Sequence, residues 1–349
     1  MTTPPRFVDP LDGASYPFKG RFTSAQASAI LTGLRNLDGQ CGSMGLWNWV
    51  EVGASGRYGI VEQKSHGNLI AFGATRHYTS PRAVASPYND LTDTAHPGAI
   101  SMSDVARGAY ATSLERSLVV YGGLSYRTGE GDSTLGAGIA LPGSITTAGD
   151  VLWCADAAQF VVAGTAGAGG GQLGVSAAGA SWAASTGVPS TDAAWGGAGR
   201  LASNGALGIL AIPTDVNNPS IWYSADGGST FTKYATGITT TNDLRGPTWD
   251  SYRSTWLMVL IDNTIYSCAN PTSGTWAQEA TLPTGFEVYD FLALPGGQWV
   301  ALGDMGLTIS TDGGTTWEML GAYAGTRLAT VDGRLTICGG ASSWISGLY

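Results

Sequence analysis

Arginine and acidic side chains in predicted loops are the groups of this sequence best suited to chemistry. A guanidinium group binds carboxylates and phosphates through paired hydrogen bonds, and loops on a rigid scaffold are where binding groups usually lie. For each single residue, the alternative is ordinary polarity of a solvent-exposed loop. We predict a ligand-binding loop face that contains Arg57, Arg76, His77, Tyr88, Arg127, Asp243, Arg245 and Arg327.

Motifs for metals and cofactors are missing from the sequence. The histidines His66, His77 and His96 are scattered singly, and no run has the spacing of a calcium loop. The glycine-rich run Gly167–Gly174 stands between two predicted strands, whereas a phosphate-binding loop leads into a helix. The sequence therefore predicts neither a metal nor a cofactor.

Charge argues against a nucleic-acid partner. The 17 basic and 26 acidic residues give a net charge of −9, and the only lysines are Lys19, Lys64 and Lys233. A protein that binds duplex DNA or RNA needs a basic surface to neutralise phosphates.

Sequence composition also bears on the cellular compartment. The first ten residues lack the basic end and apolar run of a secretory signal, and no stretch approaches eighteen apolar residues, so we expect no membrane insertion. The four cysteines are far apart, which favours free thiols and synthesis in a reducing cytoplasm. They are Cys41, Cys154, Cys268 and Cys338.

Short apolar runs recur along the chain at long, similar intervals. Seven of them end at Gly73, Gly122, Gly164, Ile212, Ile261, Gly303 and Gly339, between 36 and 49 residues apart. A four-stranded propeller blade occupies roughly 40–50 residues. The spacing predicts an all-β protein, a seven-bladed β-propeller of four-stranded antiparallel blades.

Two turns in the chain have nearly the same sequence. Ser224–Phe231 reads S-A-D-G-G-S-T-F and Ser310–Trp317 reads S-T-D-G-G-T-T-W. The aspartate can accept backbone N–H groups and the glycines can adopt positive φ, as a tight hairpin requires. The turns resemble the Asp-box, or BNR, repeats of sialidase-like β-propellers. The resemblance implies a structural role, on the face opposite the substrate, for Asp226, Gly227, Gly228, Asp312, Gly313, Gly314 and Trp317.

The two ends of the chain predict how the ring closes. Gly45–Val52 has the pattern of an outer strand, and the last repeat, ending in Trp344–Tyr349, is one strand short. We therefore expect residues 45–349 to form a ring in which both termini share one blade, with Trp47 and Trp49 beside Trp344. Residues 1–44 are predicted to form a separate arm with a helix over Ala25–Leu37. The helix could pack on the ring, or the arm could serve attachment or oligomerisation.

These observations favour a non-catalytic binding or structural propeller. We expect a bacteriophage virion component, in a tail or on the particle surface, whose arm contacts other virion proteins and whose loop face contacts a partner protein or a host-surface glycan. One alternative is a sialidase-type glycoside hydrolase, although the F/Y-R-I-P strand of that family has no counterpart here. The nearest runs, Gly56–Ile60 and Ser80–Val84, have other neighbours. A second alternative is a cytoplasmic assembly factor similar to those that help to build photosynthetic complexes.

Overall fold

The computed structural model describes most of the chain from residue 107 onward and shorter strands before it. The described residues are 6–8, 15–17, 50–51, 57–63, 68–73, 76–81, 92–95, 107–111, 113–128, 135–167, 170–188, 200–213, 220–239, 244–323, 325–331, 334–338 and 344–348. The chain divides into two compact units, one of Met1–Trp47 with Tyr349 and one of Asn48–Leu348.

The described residues of the smaller unit, 6–8 and 15–17, form an antiparallel strand pair. Strand β1 (Arg6–Val8) pairs with β2 (Ser15–Pro17), and Phe7 lies opposite Tyr16. The helix predicted over residues 25–37 lies outside the described residues.

The described residues of the larger unit form seven four-stranded antiparallel sheets, which we call blades 1 to 7. Strand β3 (Val50–Glu51) precedes blade 1 in the chain. Blade 1 consists of β4 (Arg57–Gln63), β5 (Asn68–Gly73), β6 (Arg76–Pro81) and β7 (Thr92–Ala95). Blade 2 consists of β8 (Arg107–Ala111), β9 (Arg116–Tyr121), β10 (Leu124–Arg127) and β11 (Ile139–Ala140). Blade 3 consists of β12 (Ile145–Cys154), β13 (Gln159–Ala166), β14 (Gly171–Ser176) and β15 (Ala183–Ala184). Blade 4 consists of β16 (Arg200–Ser203), β17 (Ile209–Ile212), β18 (Ser220–Ser224) and β19 (Thr232–Ala235).

The remaining blades follow the same order. Blade 5 consists of β20 (Leu244–Asp250), β21 (Thr255–Leu260), β22 (Thr264–Cys268) and β23 (Ala277–Thr281). Blade 6 consists of β24 (Val288–Ala293), β25 (Trp299–Gly303), β26 (Gly306–Ser310) and β27 (Glu318–Gly321). Blade 7 consists of β28 (Arg327–Val331), β29 (Arg334–Cys338), β30 (Trp344–Leu348) and the early strand β3. Single 3₁₀ turns cover Pro142–Ser144 and Pro271–Ser273.

The blades close into a ring. The first strand of each blade contacts the first strand of the next, and β28 of blade 7 contacts β4 of blade 1. Blade 7 combines both ends of the larger unit, since Val50 lies opposite Ile345 and Glu51 opposite Trp344. This arrangement is a β-propeller with a shared blade, as the sequence predicts. Trp47 and Trp49 lie outside the described residues.

Packing between blades explains the apolar runs of the second strands. Along β21, Trp256, Met258 and Leu260 pack into a core shared with blade 4, while Leu257 and Val259 pack into a core shared with blade 6. Successive side chains of a strand point to opposite faces, so a strand covered on both faces must be apolar throughout.

The two D-G-G turns have nearly identical hydrogen bonds. Asp312 Oδ1 accepts the Thr316 N–H at 2.8 Å, and Ser310 Oγ accepts the Gly314 N–H at 2.7 Å. In the other turn, Asp226 Oδ1 accepts the Thr230 N–H at 2.9 Å, while Ser224 Oγ accepts the Gly228 N–H at 2.8 Å. All four glycines of the turns have positive φ, which a residue with a side chain rarely adopts.

Each D-G-G turn also rests on the preceding blade. Gln159 of blade 3 donates to the Gly227 carbonyl at 2.9 Å. Any side chain at Gly313 would meet the guanidinium of Arg253 in blade 5, at 2.5 Å from its Nη2. The turns therefore join neighbouring blades as well as the two strands that they connect.

Three further observations concern the described residues alone. None of their helices is long and apolar enough to cross a membrane. No group of their His, Cys, Asp and Glu side chains has a metal-binding arrangement. Cys154 and Cys268 are buried free thiols.

Candidate functional site

Charged side chains gather where the first strands of the blades begin. The D-G-G turns follow the third strand of a blade, which runs in the same direction as the first, so the beginnings of the first strands lie at the opposite end of the ring. This end carries Arg107, Asp150, Arg200, Asp290 and Arg327, each on the first strand of a different blade. We call these five residues the inner-strand cluster.

Asp150 ties blade 3 to blade 4. Its Oδ1 accepts the Val151 N–H at 2.9 Å, and its Oδ2 accepts the Leu201 N–H of blade 4 at 2.9 Å. Burial raises the pKa of Asp150 above its ordinary value, although the Leu201 and Val151 N–H groups and the charges of Arg107 and Arg327 act in the other direction. Asp150 is therefore buried, and the two N–H donors and the two arginines stabilise its charged form.

Asp290 has the same role between blades 6 and 7 and also binds an arginine. Its Oδ1 accepts the Phe291 N–H at 3.0 Å, and its Oδ2 accepts the Leu328 N–H of blade 7 at 2.8 Å. The Arg200 Nη1 donates to Asp290 Oδ1 at 2.7 Å, and Nη2 donates to the Tyr289 carbonyl at 3.0 Å. Arg200 belongs to blade 4 and Asp290 to blade 6, so this ion pair joins two blades that are not neighbours in the ring.

A β-bulge places both aspartates. The register of β12 against β13 shifts between Ala148 and Asp150, and that of β24 against β25 shifts between Val288 and Asp290. A bulge adds an unpaired residue and changes the direction in which the next side chain points. The same local irregularity therefore turns each carboxylate towards the N–H of the next blade.

Positive charge exceeds negative charge in the cluster. Burial, followed by the nearby charges of Arg200 and Arg107, lowers the pKa of Arg327 well below its ordinary value, while Asp290 and Asp150 oppose the shift. An arginine remains protonated in proteins. The lowered pKa therefore means that burial and the charges of Arg200 and Arg107 make this place unfavourable for the positive charge of Arg327. The Nε atoms of Arg200 and Arg327 are buried and have no hydrogen-bond partner among the described residues.

Solvent reaches this end of the ring, because Arg107, Arg245 and Arg327 are each only partly buried. Three guanidinium groups and two carboxylates make up the inner-strand cluster, and Arg245 of β20 lies near the start of the neighbouring first strand. Within the described part of this end of the ring, arginines outnumber carboxylates at a place that solvent reaches, and such a place suits the binding of a carboxylate or another oxyanion.

The predicted binding residues fall into three groups. Arg57, Arg76, Arg245 and Arg327 lie at or next to the beginnings of first or third strands, at the end that carries the cluster, as does His77. These residues belong to strands, whereas the sequence placed them in loops, because backbone pairing extends past the apolar runs. Tyr88 and Asp243 lie outside the described residues. The part that each residue takes in binding stays a prediction.

Arg127 was assigned to the wrong end of the ring. It is the last residue of β10, a third strand, and therefore lies at the end of the D-G-G turns. The predicted loop face includes Tyr126–Asp132 among the turns between second and third strands and the connections between blades. In the structure, the two glycines Gly122 and Gly123 already make that turn, which leads directly from β9 to β10.

Sequence reasoning missed Arg107, Asp150, Arg200 and Asp290. The aspartates did leave a signal, since each is a single charged residue inside an otherwise uncharged first strand, I-T-T-A-G-D-V-L-W-C and V-Y-D-F-L-A. A buried carboxylate needs partners, and such a residue therefore indicates a specific contact. The partners themselves lie 51 and 38 residues further along the chain.

Comparison with solved structures places this ring among known folds. YCF48 from Cyanidioschyzon merolae superposes with a TM-score of 0.61 at 15% identity over 86% of this chain and 98% of that chain. A structure of YCF48 bound to D1 peptide gives 0.63 at 11% identity over 87% and 97%. The WD40 β-propeller domain of Doa1 gives 0.61 at 9% identity over 87% and 98%.

The fold is a β-propeller of four-stranded antiparallel blades, and its structural neighbours are WD40 and YCF48 propellers. At these identities the likeness concerns the fold alone. No family model matches the sequence, and no curated protein matches it in a sequence search. The propeller brings the beginnings of its first strands together at one end, which is why the inner-strand cluster contains residues from five blades.

Proposed function

We propose that the propeller is a non-catalytic binding module that receives an acidic segment of a partner protein at the inner-strand cluster. The observation that carries this proposal is the surroundings of Arg327, because the described residues of the inner-strand cluster bring its guanidinium group near those of Arg107 and Arg200 and near the carboxylates of Asp290 and Asp150. A carboxylate from outside would add negative charge beside these arginines. A structure of similar fold, YCF48, is described as bound to a peptide, which supports a protein ligand over a small molecule.

We further propose that the chain is a bacteriophage virion protein, in a tail or on the particle surface. The low lysine content and the D-G-G turns, which we interpret as Asp-box turns, support this role. In this proposal, the N-terminal unit contacts other virion proteins, and the chain acts as an oligomer. Mass spectrometry of purified particles from the phage that encodes the chain tests the location, and absence from the particles contradicts it.

Binding of an acidic segment can be tested with a defined probe. Fluorescein-labelled hexaglutamate should bind the full chain, as measured by anisotropy, and labelled hexaglutamine should not. Arg327→Gln should weaken binding roughly 10- to 100-fold, since it removes charge-assisted hydrogen bonds. The control is Lys233→Gln, which removes an exposed cation from the outer strand β19 and should leave the affinity unchanged.

Two outcomes would contradict the acidic-segment proposal. One is equal affinity of the two peptides for the chain. The other is strong binding of a sialylated oligosaccharide at the same arginines together with no binding of hexaglutamate, which would favour the host-surface glycan. Release of the fluorophore from a fluorogenic sialoside would instead indicate the sialidase alternative.

A further inference from the structure

A second concentration of arginine charge lies at the other end of the ring. Arg116, the first residue of β9, and Arg127, the last residue of β10, lie on the same face of blade 2, as the pairing of Arg127 with Leu118 shows. Both belong to the end of the ring that carries the D-G-G turns. The pair is therefore separate from the inner-strand cluster.

The two arginines share one neutral acceptor. Arg127 Nη1 donates to the Ala178 carbonyl of blade 3 at 3.2 Å, and Arg116 Nη1 donates to the same oxygen at 3.4 Å. The Arg116 Nε is buried and has no hydrogen-bond partner among the described residues. Neither arginine forms an ion pair with any of the described carboxylates. Like charges held close together on one sheet face repel each other, and a single carbonyl offsets little of that repulsion.

A cavity of about 370 Å³ opens beside these groups. It is lined by Arg116, Arg127, Thr128, Gly136, Ala137 and Ile139. The lining combines two guanidinium groups and one hydroxyl with an apolar wall. Cavities of roughly 300–1,000 Å³ with an apolar lining and a few convergent polar groups are typical of small-molecule sites.

We propose that this cavity binds a small organic anion, with its phosphate or carboxylate group held by Arg116 and Arg127 and its carbon skeleton against Ala137 and Ile139. Guanidinium groups present several donors in a fixed plane, which suits an oxyanion better than a lone carbonyl. The anion would relieve the repulsion between the arginines, and the apolar wall would favour a ligand with a hydrocarbon part over an inorganic ion.

Isothermal titration calorimetry of the full chain at constant ionic strength tests the site with defined probes. Phenyl phosphate should bind more tightly than inorganic phosphate because only the former reaches the apolar wall. Benzoate distinguishes a carboxylate ligand from a phosphate ligand. Affinities of phenyl phosphate and inorganic phosphate that are equal would overturn the assignment of an organic ligand.

Variants of both arginines connect binding to this cavity. Arg116→Gln and Arg127→Gln should each weaken phenyl phosphate binding roughly 10- to 100-fold. Arg127→Lys keeps the charge but loses the planar fork, so its affinity should lie between those of the wild type and Arg127→Gln. Thermal unfolding of each variant verifies that it is folded. Wild-type affinity in both glutamine variants would overturn the proposal.

Control variants separate this site from the proposed peptide site. Lys233→Gln should bind phenyl phosphate like the wild type. Arg327→Gln should lose hexaglutamate binding but keep the calorimetric signal that depends on Arg127, and Arg127→Gln should show the converse. Loss of both signals in either variant would contradict the existence of two separate sites.

Discussion

Replacing Asp290 by asparagine should destabilise the ring more than any exposed substitution of the same kind. Asp290 accepts hydrogen bonds from Arg200 at 2.7 Å, from the Leu328 N–H at 2.8 Å and from the Phe291 N–H at 3.0 Å. The side chains of Arg200 and Asp290 are only 9% and 10% exposed. Asparagine removes the negative charge and turns one acceptor into a donor, which leaves a buried cation unbalanced. Breaking a buried ion pair in this way costs about 3–5 kcal/mol.

Denaturant unfolding of single and double variants measures this cost. Arg200→Gln should cost less than Asp290→Asn, because the carboxylate keeps its two backbone donors. The double variant should be less destabilised than the sum of the single variants, by about 0.5–3 kcal/mol, as expected for residues in direct contact. The matched control is Asp304→Asn, since Asp304 is exposed and accepts a single backbone N–H, from Glu287 at 2.7 Å. It should cost about 1 kcal/mol.

Peptide binding provides a second, independent readout for the same variant. Removing the Asp290 carboxylate makes the surroundings of Arg327 more positive, so folded Asp290→Asn should bind hexaglutamate at least as well as the wild type.

The unfolding experiment can refute the importance of the buried ion pair between blades 4 and 6. It would do so if Asp290→Asn lowered the free energy of unfolding by less than about 1 kcal/mol, or if the effects of the two single substitutions were additive in the double variant.

Three further predictions concern the turns and the closure of the ring. Gly314→Ala should destabilise the protein by about 1–3 kcal/mol in denaturant unfolding, because its φ is +84° and an added Cβ would lie 2.9 Å from the Trp299 ring. Gly285→Ala is the control, since Gly285 has a similar φ of +81° but open space around the added Cβ. It should therefore lose only the stability that corresponds to backbone strain. Hydrogen bonds from the Thr316 backbone and hydroxyl lower the pKa of Asp312 to about 2, so its support of the turn should be complete above the ordinary value of 3.8 and be lost as the pH falls through about 2. An NMR titration of the Asp312 carboxyl checks this, and a midpoint near 3.8 would contradict it. Deletion of residues 45–52 removes β3 and should abolish cooperative unfolding, whereas a folded, monodisperse product would argue against closure through blade 7.

Local sequence patterns were enough to predict the blades. The repeat length, the apolar second strands and the D-G-G turns each depend on residues close together in the chain. Turn chemistry is local as well, so the hydrogen bonds of Asp226 and Asp312 could be anticipated from S-A-D-G-G-S-T-F and S-T-D-G-G-T-T-W. The pairing of β3 with β30 followed from counting strands, because the last repeat was one strand short and its third strand would otherwise have an unpaired edge.

The candidate site could be predicted only in part. Arg245 and Arg327 lie at the end of the ring that carries the inner-strand cluster, as predicted for the loop face, while their part in binding stays a prediction. Arg127 lies at the other end, because the prediction contained an error of one strand connection. Consecutive strands run in opposite directions, so successive connections lie at opposite ends of the ring. A residue that is assigned to the neighbouring connection is therefore predicted at the wrong end.

The sequence by itself determined the fold class, the blade length and the two structural turns, because these depend on periodicity and on short-range backbone chemistry. Only the tertiary structure decided which charges meet. Arg200 and Asp290 are 90 residues apart in the chain, yet the ring brings them to 2.7 Å. The bulges in β12 and β24 turn Asp150 and Asp290 towards the next blade. Burial then makes the balance of these charges matter, because charges that water no longer screens interact strongly with one another.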